Sequence, residues 1–452
     1  MNLETLILAA GKGTRMKSKL PKVLHKVCGK PMVQYVIEAA KKVGSSREVV
    51  VIGSGAELVV KTIKDVEFAL QEEQLGTGHA VLCAKKNFEN SEGIVLILCG
   101  DTPLLTSELL EKFTAAHINT NCAATVLTAE MPDAKGYGRV IREEDGSFKK
   151  IIEDRDATDD EKQIREVNAG CYCFDVKKLF GSLEKISNQN AQGEYYLPDV
   201  LPILKSEGEK VGAFKAKYCI ETIGINNRSQ LAAADKALRM RKEQELMEAG
   251  VTIIDPNTTF IDGDVKIGQD TIIYPNTYIE GNTTIGEDCV IGPNVRFTDM
   301  KVGNKVTVQF SYCHEAEILD GVTMGPYVHI RPGTIIGENV KIGNFVEVKN
   351  SNIGEGSKLP HLQYIGDTDM GSGVNIGCGT VTCNYDGKKK HRTTIGDNAF
   401  VGCNTNLVAP VNVGEGAYIG AGSTITKDVP KENLAVGRAK QVNIEVWNDK
   451  RK

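Results

Sequence analysis

From Gly250 onward one spacing governs the chain: a large apolar residue recurs at every sixth position. Ile261, Ile267, Ile273, Ile279, Ile285, Ile291 and Phe297 form one train. Ile318, Met324, Ile330, Ile336, Ile342 and Val348 form a second, and Ile395, Val401, Leu407, Val413, Ile419 and Ile425 a third. This period is neither helical nor the alternation of a simple strand; it marks a solenoid. The residue after the aliphatic is often glycine, as at Gly268, Gly286, Gly337 and Gly402. The third residue after it is often Asp or Asn: Asp270, Asn276, Asn282, Asp288, Asn294, Asn339 and Asn398. These types tolerate the positive φ that a repeated sharp corner demands. The fourth is small or β-branched, as at Thr271, Thr277, Thr283, Cys289 and Ala417. A large and a small residue then share each inward edge. Three edges close a triangular coil, and stacked coils bury a continuous apolar column. The period does not reveal the hand of the coil, and the general crossover rule favours right-handed connections.

Two interruptions break the trains. Between Val348 and Ile376 the period is only approximate, through Ile353, Leu359 and Ile365. Thr382 to Thr394 is an insertion carrying Lys388, Lys389, Lys390 and Arg392. Solenoids push insertions outward, often on a binding face, so this loop is either a solvated excursion or part of a phosphate site.

The first half follows another pattern. Leu3–Ala10, Val49–Ile52 and Ile94–Leu98 are buried-strand runs, and Met32–Val43 between the first two reads as a helix. Strands separated by helices imply a mainly parallel sheet covered on both faces, with ligands beyond the carboxyl ends of the strands. Ser229 to Ala249 is a charged helical stretch that reads as a linking helix ended near Gly250. At 452 residues, 41% hydrophobic and 25% charged, the chain can bury two or three cores. A net charge of -5 argues against a general nucleic-acid binder. The 12 cysteines include no C-x-x-C pair. With no signal peptide or apolar membrane span visible, a cytoplasmic enzyme without membrane attachment is expected.

Three places in the first half carry chemistry. Gly11-Lys12-Gly13-Thr14-Arg15 follows the first strand, and Lys22 lies shortly downstream. Glycines there let backbone N–H groups approach an anion, though the spacing is neither a Walker A loop nor a full dinucleotide fingerprint. Gln74-Leu75-Gly76-Thr77-Gly78 is a second glycine-rich turn before a helix. Cys99-Gly100-Asp101 puts a carboxylate at the end of the third strand, where it can hold Mg²⁺.

Together with Gly136-Tyr137-Gly138-Arg139, Ile152-Glu153, Asn168-Ala169-Gly170 and Gly224-Ile225-Asn226-Asn227-Arg228, this set resembles the nucleotide-sugar pyrophosphorylases. The resemblance implies attack of a sugar 1-phosphate oxygen on the α-phosphorus of UTP, with pyrophosphate leaving. It assigns Asp101 and Asn226 to Mg²⁺, and Arg15 and Lys22 to the triphosphate. Leu8, Ala9, Ala10, Gly11, Gln71, Gly76 and Thr77 would surround the nucleotide, with Cys99 and Gly100 alongside. Gly138, Glu153 and Asn168 would hold the sugar. Taken alone, Glu153 reads as a surface carboxylate in an acidic stretch.

The second half is similar to the hexapeptide-repeat family, whose coils are left-handed and whose members usually form trimers. His329-Ile330-Arg331-Pro332-Gly333, Glu347-Val348-Lys349-Asn350, His361 to Asp367, Val374 to Gly377, Cys383 to Gly387 and Val436-Gly437-Arg438 narrow the match. They resemble the bacterial bifunctional enzymes that make UDP-N-acetylglucosamine for cell-envelope polysaccharides, and the match spans the whole chain. It implies acetylation of glucosamine 1-phosphate by acetyl-coenzyme A, then uridylyl transfer from UTP to N-acetylglucosamine 1-phosphate. An amine must lose a proton to attack a thioester, which makes His361 the expected general base. Arg331 and Lys349 would clamp the sugar phosphate, while Tyr364, Asn375 and the Asn384–Tyr385 pair orient the sugar. Acetyl-coenzyme A would meet Cys378, Asn384, Tyr385, Cys403, Ala421 and Arg438. Cys378 and Cys403 stand where relatives commonly have Ala and Ser, positions where backbone contacts suffice.

The implied architecture is an α/β Rossmann-like nucleotidyltransferase domain over 1–228, a linker helix over 229–250 and a left-handed parallel β-helix of hexapeptide repeats over 251–452. Two alternatives for the second half are a purely structural trimerisation module and a zinc hydratase built on its histidines.

Overall fold

The computed structural model describes residues 2–445. Residues 446–452, within the expected second domain, lie outside them. The chain divides into two compact units, one ending at Leu238 and one beginning at Arg239.

The first unit is built on one mixed sheet. Its strands are β1 (Leu3–Leu8), β2 (Glu48–Ile52), β3 (Glu67–Leu70), β4 (Ile94–Cys99), β5 (Ala124–Glu130), β6 (Arg139–Arg142), β7 (Phe148–Ile152), β8 (Glu166–Asp175) and β9 (Val211–Lys215). Their order is β9-β5-β8-β4-β1-β2-β3, with the β6–β7 hairpin hanging from β8. β1 is central and parallel to both neighbours, Leu6 beside Val49 and Leu8 beside Cys99. β8 runs antiparallel to β4 and β5, because the β6–β7 hairpin returns the chain beside β5 without a crossover. The mainly parallel expectation therefore holds for the half that carries β1.

Both faces of this sheet are covered, which is why its strands read as unbroken apolar runs. Ile7, Val50, Leu96 and Leu98 pack with Val33, Val36 and Ile37 of helix α1 (Met32–Lys42). Leu6, Val49, Val51 and Ile97 pack on the other side with Ala80 and Val81 of helix α2 (Thr77–Cys83).

Helix α3 (Arg228–Glu248) contains the boundary between the units. Its first half is not a free tether, since Ala234 and Leu238 are buried with Val27, Met32, Leu104 and Ile225 of the first unit. In the second unit Leu246 joins the solenoid core beside Val251.

The second unit is a left-handed parallel β-helix. Three six-residue edges make a turn of 18 residues where the repeat is regular, so Ile267 lies beside Ile285 and Ile273 beside Ile291. Every aliphatic of the three trains is buried, and so are their small partners Thr271, Thr277, Thr283 and Cys289. Asp270, Asn276, Asp288, Asn294, Asn339 and Asn398 adopt φ between 55° and 59°. Asn282 does not; at that corner the left-handed residue is Gly281, whose Cβ would collide with Asp299. Where the period is only approximate, two nine-residue strands run round a corner without a break. These are β10 (Lys341–Lys349) and β11 (Lys358–Gly366), paired in parallel from Lys341–Lys358 to Lys349–Gly366. The insertion lengthens one coil: Asp369 pairs with Thr394, 25 residues on, where other coils need 16 to 20 residues.

Candidate active sites

The first site lies beyond the carboxyl ends of β1 and β4, where the parallel half of the sheet opens. Gly100 donates its N–H to the Leu8 carbonyl at 2.9 Å, which ties the two strand ends together. A cavity of about 610 Å³ opens there, lined by Leu8–Arg15, Lys22, Gln71, Gly76, Thr77, Cys99 and Asp101. Gln74 of the glycine-rich turn also lines it, and so do Gln192 and Glu194, which were not expected. The Gln192–Glu194 segment is held against the glycine turn: Tyr195 N–H donates to Leu75 O, and Gly78 N–H to Tyr195 O, each at 2.8 Å. A Cβ on Gly76 (φ 109°) would strike Tyr195, so this close crossing explains the glycine. Gln71, 3% exposed, presents its amide to the Gly76 carbonyl at 3.1 Å.

Charge gathers at one end of this cavity. The Lys22 ammonium lies between the Asp101 carboxylate and Asn226 Oδ1, the latter at 2.9 Å. Arg15 donates to the same amide oxygen at 2.9 Å. Ile225 N–H bonds to Asp101 O at 2.9 Å, which fixes the Asn226 loop over the β4 end. Two hard oxygen donors thus converge on a cation position that a lysine fills, and Mg²⁺ accepts this donor type while keeping several waters. The residues fit the metal. Cys99 is otherwise engaged: its thiol reaches Gly170 O at 3.4 Å, and burial pushes its pKa well up.

Gly138, Glu153 and Asn168 form a separate group. Asn168 N–H donates to Gly138 O at 2.8 Å, and a Cβ on Gly138 would press on Glu153 Oε1. Glu153 is not a plain surface carboxylate. Burial, then Asp199, Asp156 and Asp154, raise its pKa. Asn168 is fixed at both ends, donating to the Tyr172 hydroxyl at 2.7 Å and accepting from Gly170 N–H at 2.9 Å.

The second site is organised by one corner of the β-helix. Each coil places a residue there two positions after its aliphatic, giving His361 after Leu359, Cys378 after Ile376, Cys403 after Val401 and Ala421 after Ile419. The backbone stitches this column: Gly379 N–H to Leu362 O at 2.8 Å, Asn404 to Cys378 O at 2.6 Å and Gly422 to Cys403 O at 2.7 Å. Arg438 joins its end, donating to Ala421 O at 2.6 Å. The expected base and four expected acetyl-coenzyme A residues therefore share one edge. A groove of about 370 Å³ runs beside His361, lined by Gln309, Thr323, Lys341, Gly343, Lys358 and Pro360 among others.

Past the corner, β11 carries Tyr364 beside Glu347, and Glu347 accepts from Arg331 at 2.8 Å. Lys349 pairs with both oxygens of Asp367 at 3.2 Å. Asn384, 7% exposed, donates to Asp367 at 2.5 Å and lies 3.4 Å from the Tyr364 hydroxyl. Burial works against the Asp367 anion, yet bonds from Asn350, Lys349 and Asn384 hold its pKa below the usual range. Asn375 stands apart on the preceding face, in register between Lys358 and Phe400. Tyr385 is exposed, and its hydroxyl donates to Gly387 O within its loop at 2.8 Å.

The insertion is a folded hairpin. Asp386 accepts from the N–H groups of Lys388 and Lys389 at 2.7 Å and from His391 at 2.7 Å. Arg392 is taken up by Asp369. Lys390 is exposed but lies beside Lys349, and the neighbouring ammonium pushes its pKa down. Two ammonium groups this close, with Arg331 nearby, make a site that an anion would complete. Among the described residues no three His, Cys, Asp or Glu side chains converge to hold a metal.

Residues 5–193 match the MobA-like NTP transferase domain family. Residues 264–299, 315–350 and 392–427 match the bacterial transferase hexapeptide repeat. Over 451 residues the chain is 52% identical to the bifunctional protein GlmU of Halalkalibacterium halodurans, covering 100% of this chain and 99% of that one. Against the bifunctional protein GlmU of Clostridium perfringens it is 53% identical over 454 residues, covering both chains fully.

The chain belongs to the bifunctional GlmU family. Like other GlmU proteins it is a nucleotidyltransferase and an acetyltransferase in one chain. It makes UDP-N-acetylglucosamine by acetyl-CoA-dependent acetylation of glucosamine 1-phosphate, followed by UTP-dependent uridylyl transfer. Among the described residues no helix is long and apolar enough to cross a membrane.

Proposed function

We propose a division of labour in which each unit runs one half-reaction with the residues gathered at its own site. Residues 1–228 would form the uridylyltransferase and residues 251–452 the acetyltransferase, with 229–250 between them. The observation that carries this reading is the column of His361, Cys378, Cys403 and Ala421 on one edge, beside the Arg331–Lys349–Lys390 cluster. A thioester lying along the edge and a phosphate held by the cluster bring an amine to His361.

In acetylation, Arg331, Lys349 and Lys390 hold the phosphate of glucosamine 1-phosphate, Tyr364 and Asn384 orient the ring, and Asn375 would meet the sugar from the face before the His361 corner. His361 takes the amine proton as nitrogen attacks the thioester carbonyl, and the coenzyme A thiolate leaves and is reprotonated. Cys378, Tyr385, Cys403, Ala421 and Arg438 line the coenzyme track. No cysteine nucleophile is needed for direct transfer.

In uridylyl transfer, Gln71, Gly76 and Thr77 hold the base, and the Leu8–Gly11 turn receives the nucleotide. Gly138, Glu153 and Asn168 hold the sugar, while Arg15 and Lys22 face the triphosphate. Asp101 and Asn226 would hold Mg²⁺, which neutralises charge on the phosphates when bound. Lys22 swings from its bridge between these oxygens onto phosphate. The protein's contribution is mainly positioning and charge neutralisation.

The hexapeptide solenoid supports assembly with copies of itself, as a cytoplasmic homotrimer. Chelation tests the metal assignment: EDTA should abolish uridylyl transfer and leave acetylation intact. Loss of both, or of neither, would count against it. Sedimentation of the purified chain should give three times the 49.0 kDa chain mass.

A further inference from the structure

Gly343 lacks a side chain, and a Cβ there would overlap the carbonyl oxygen of Pro360. The glycine lets β10 close on β11 at the corner, where Asn344 stands in register with His361. Asn344 Oδ1 lies 2.7 Å from His361 Nδ1. An amide oxygen can only accept, so Nδ1 carries the proton and a neutral ring keeps its lone pair on Nε2. Among the described residues Nε2 has no hydrogen-bond partner, and His361 is exposed where the corner column meets the groove.

We propose that Asn344 is a positioning residue for acetyl transfer: it fixes the tautomer and orientation of His361 so that Nε2 is the atom that takes the amine proton. This rests on the reading of His361 as general base. The proton balance is complete with the groups present. As the N–C bond forms and the C–S bond breaks, the amine proton passes to Nε2. The ring then holds two protons, the Nδ1 proton remaining on the Asn344 oxygen. The coenzyme A thiolate takes the Nε2 proton and the neutral tautomer returns. Without the amide, the ring can rotate or place its proton on Nε2, and that fraction cannot act as base.

The test uses the full-length protein carrying Asn344→Ala, Asn344→Asp or His361→Ala, with uridylyl transfer as a control for folding. Positioning of a general base predicts that Asn344→Ala lowers acetyltransferase kcat by about tenfold or more, with both KM values nearly unchanged. Asn344→Asp puts a carboxylate on Nδ1–H, favours the imidazolium and moves the acidic limb of the kcat–pH profile to higher pH. The proposal is overturned if Asn344→Ala keeps wild-type kcat, or if the Asp variant leaves the acidic limb in place. Should the alanine variant fail to fold, the near-isosteric aspartate variant decides through its pH limb. His361→Ala separates the two layers. If it retains acetylation, the general-base reading fails. If it is inactive while Asn344→Ala is unimpaired, only the proposal fails.

Discussion

Glu243 on α3 makes the stability of the second unit depend on pH in a calculable way. Its side chain is 2% exposed, and among the described residues Oε1 has no hydrogen-bond partner. Burial raises its pKa from 4.5 to about 7, and Arg239 one turn earlier only partly opposes this. A carboxyl whose folded pKa lies above its unfolded value stabilises the fold most below the unfolded value. That contribution is lost as pH rises through the folded value. At about 1.4 kcal/mol per unit, the loss between pH 5 and pH 8 is about 2–3 kcal/mol. Glu243→Gln removes the titration while keeping the volume. Calorimetry of wild type and variant at pH 5 and pH 8, at one protein concentration, reads the difference. For a unit of this size the wild type should lose about 5–10 °C more in Tm than the variant over that range. The pH slope is the readout, because a glutamine can repack and shift both values together. Equal losses in the two proteins would refute the reasoning.

Three further substitutions probe the sites. Gly343→Ala drives a methyl into the Pro360 carbonyl and separates β10 from β11; acetylation should fall while uridylyl transfer in the same protein stays at its wild-type rate. Lys390→Ala removes one of two adjacent ammonium groups. It should raise KM for glucosamine 1-phosphate about tenfold, roughly the worth of one charge-assisted bond, and flatten its salt dependence, with KM for acetyl-CoA unchanged. Gly76→Ala places a Cβ against Tyr195; displacing the Gln192–Glu194 wall should raise KM for UTP and spare acetylation entirely.

Much of the fold is legible because the β-helix repeats one packing decision many times. Each inward edge needs one large and one small residue, so the period survives substitution at any single position. The corners are less legible. Phe310, Tyr327, Phe345 and Leu362 occupy left-handed conformations at φ of 46–61°, where bulky residues are costly and Asn or Gly is expected. Backbone bonds between coils hold them there, such as Tyr327 N–H to Phe310 O at 2.7 Å, and rings stack along the edge, Tyr327 on Phe345 at 5.2 Å. Long-range neighbours thus override the local preference. The same holds for the sites. Strand ends and glycine turns mark Asp101, Arg15 and Thr77 in the sequence. The wall from Gln192 to Glu194 is brought in by a crossing that no local pattern announces. Of the insertion's four cations, only the folded hairpin shows that Lys390 faces Lys349 and that Arg392 is spent on Asp369. Asn344 is silent in sequence because its meaning depends on the register of β10 against β11.

The central claim is that two separate clusters run two successive reactions. It is tested most directly by assaying each half-reaction in purified Asp101→Ala and His361→Ala proteins. Asp101→Ala should acetylate glucosamine 1-phosphate normally but form no UDP-sugar. His361→Ala should uridylylate supplied N-acetylglucosamine 1-phosphate normally but not acetylate. If both variants lost the same half-reaction, the division of labour would be wrong.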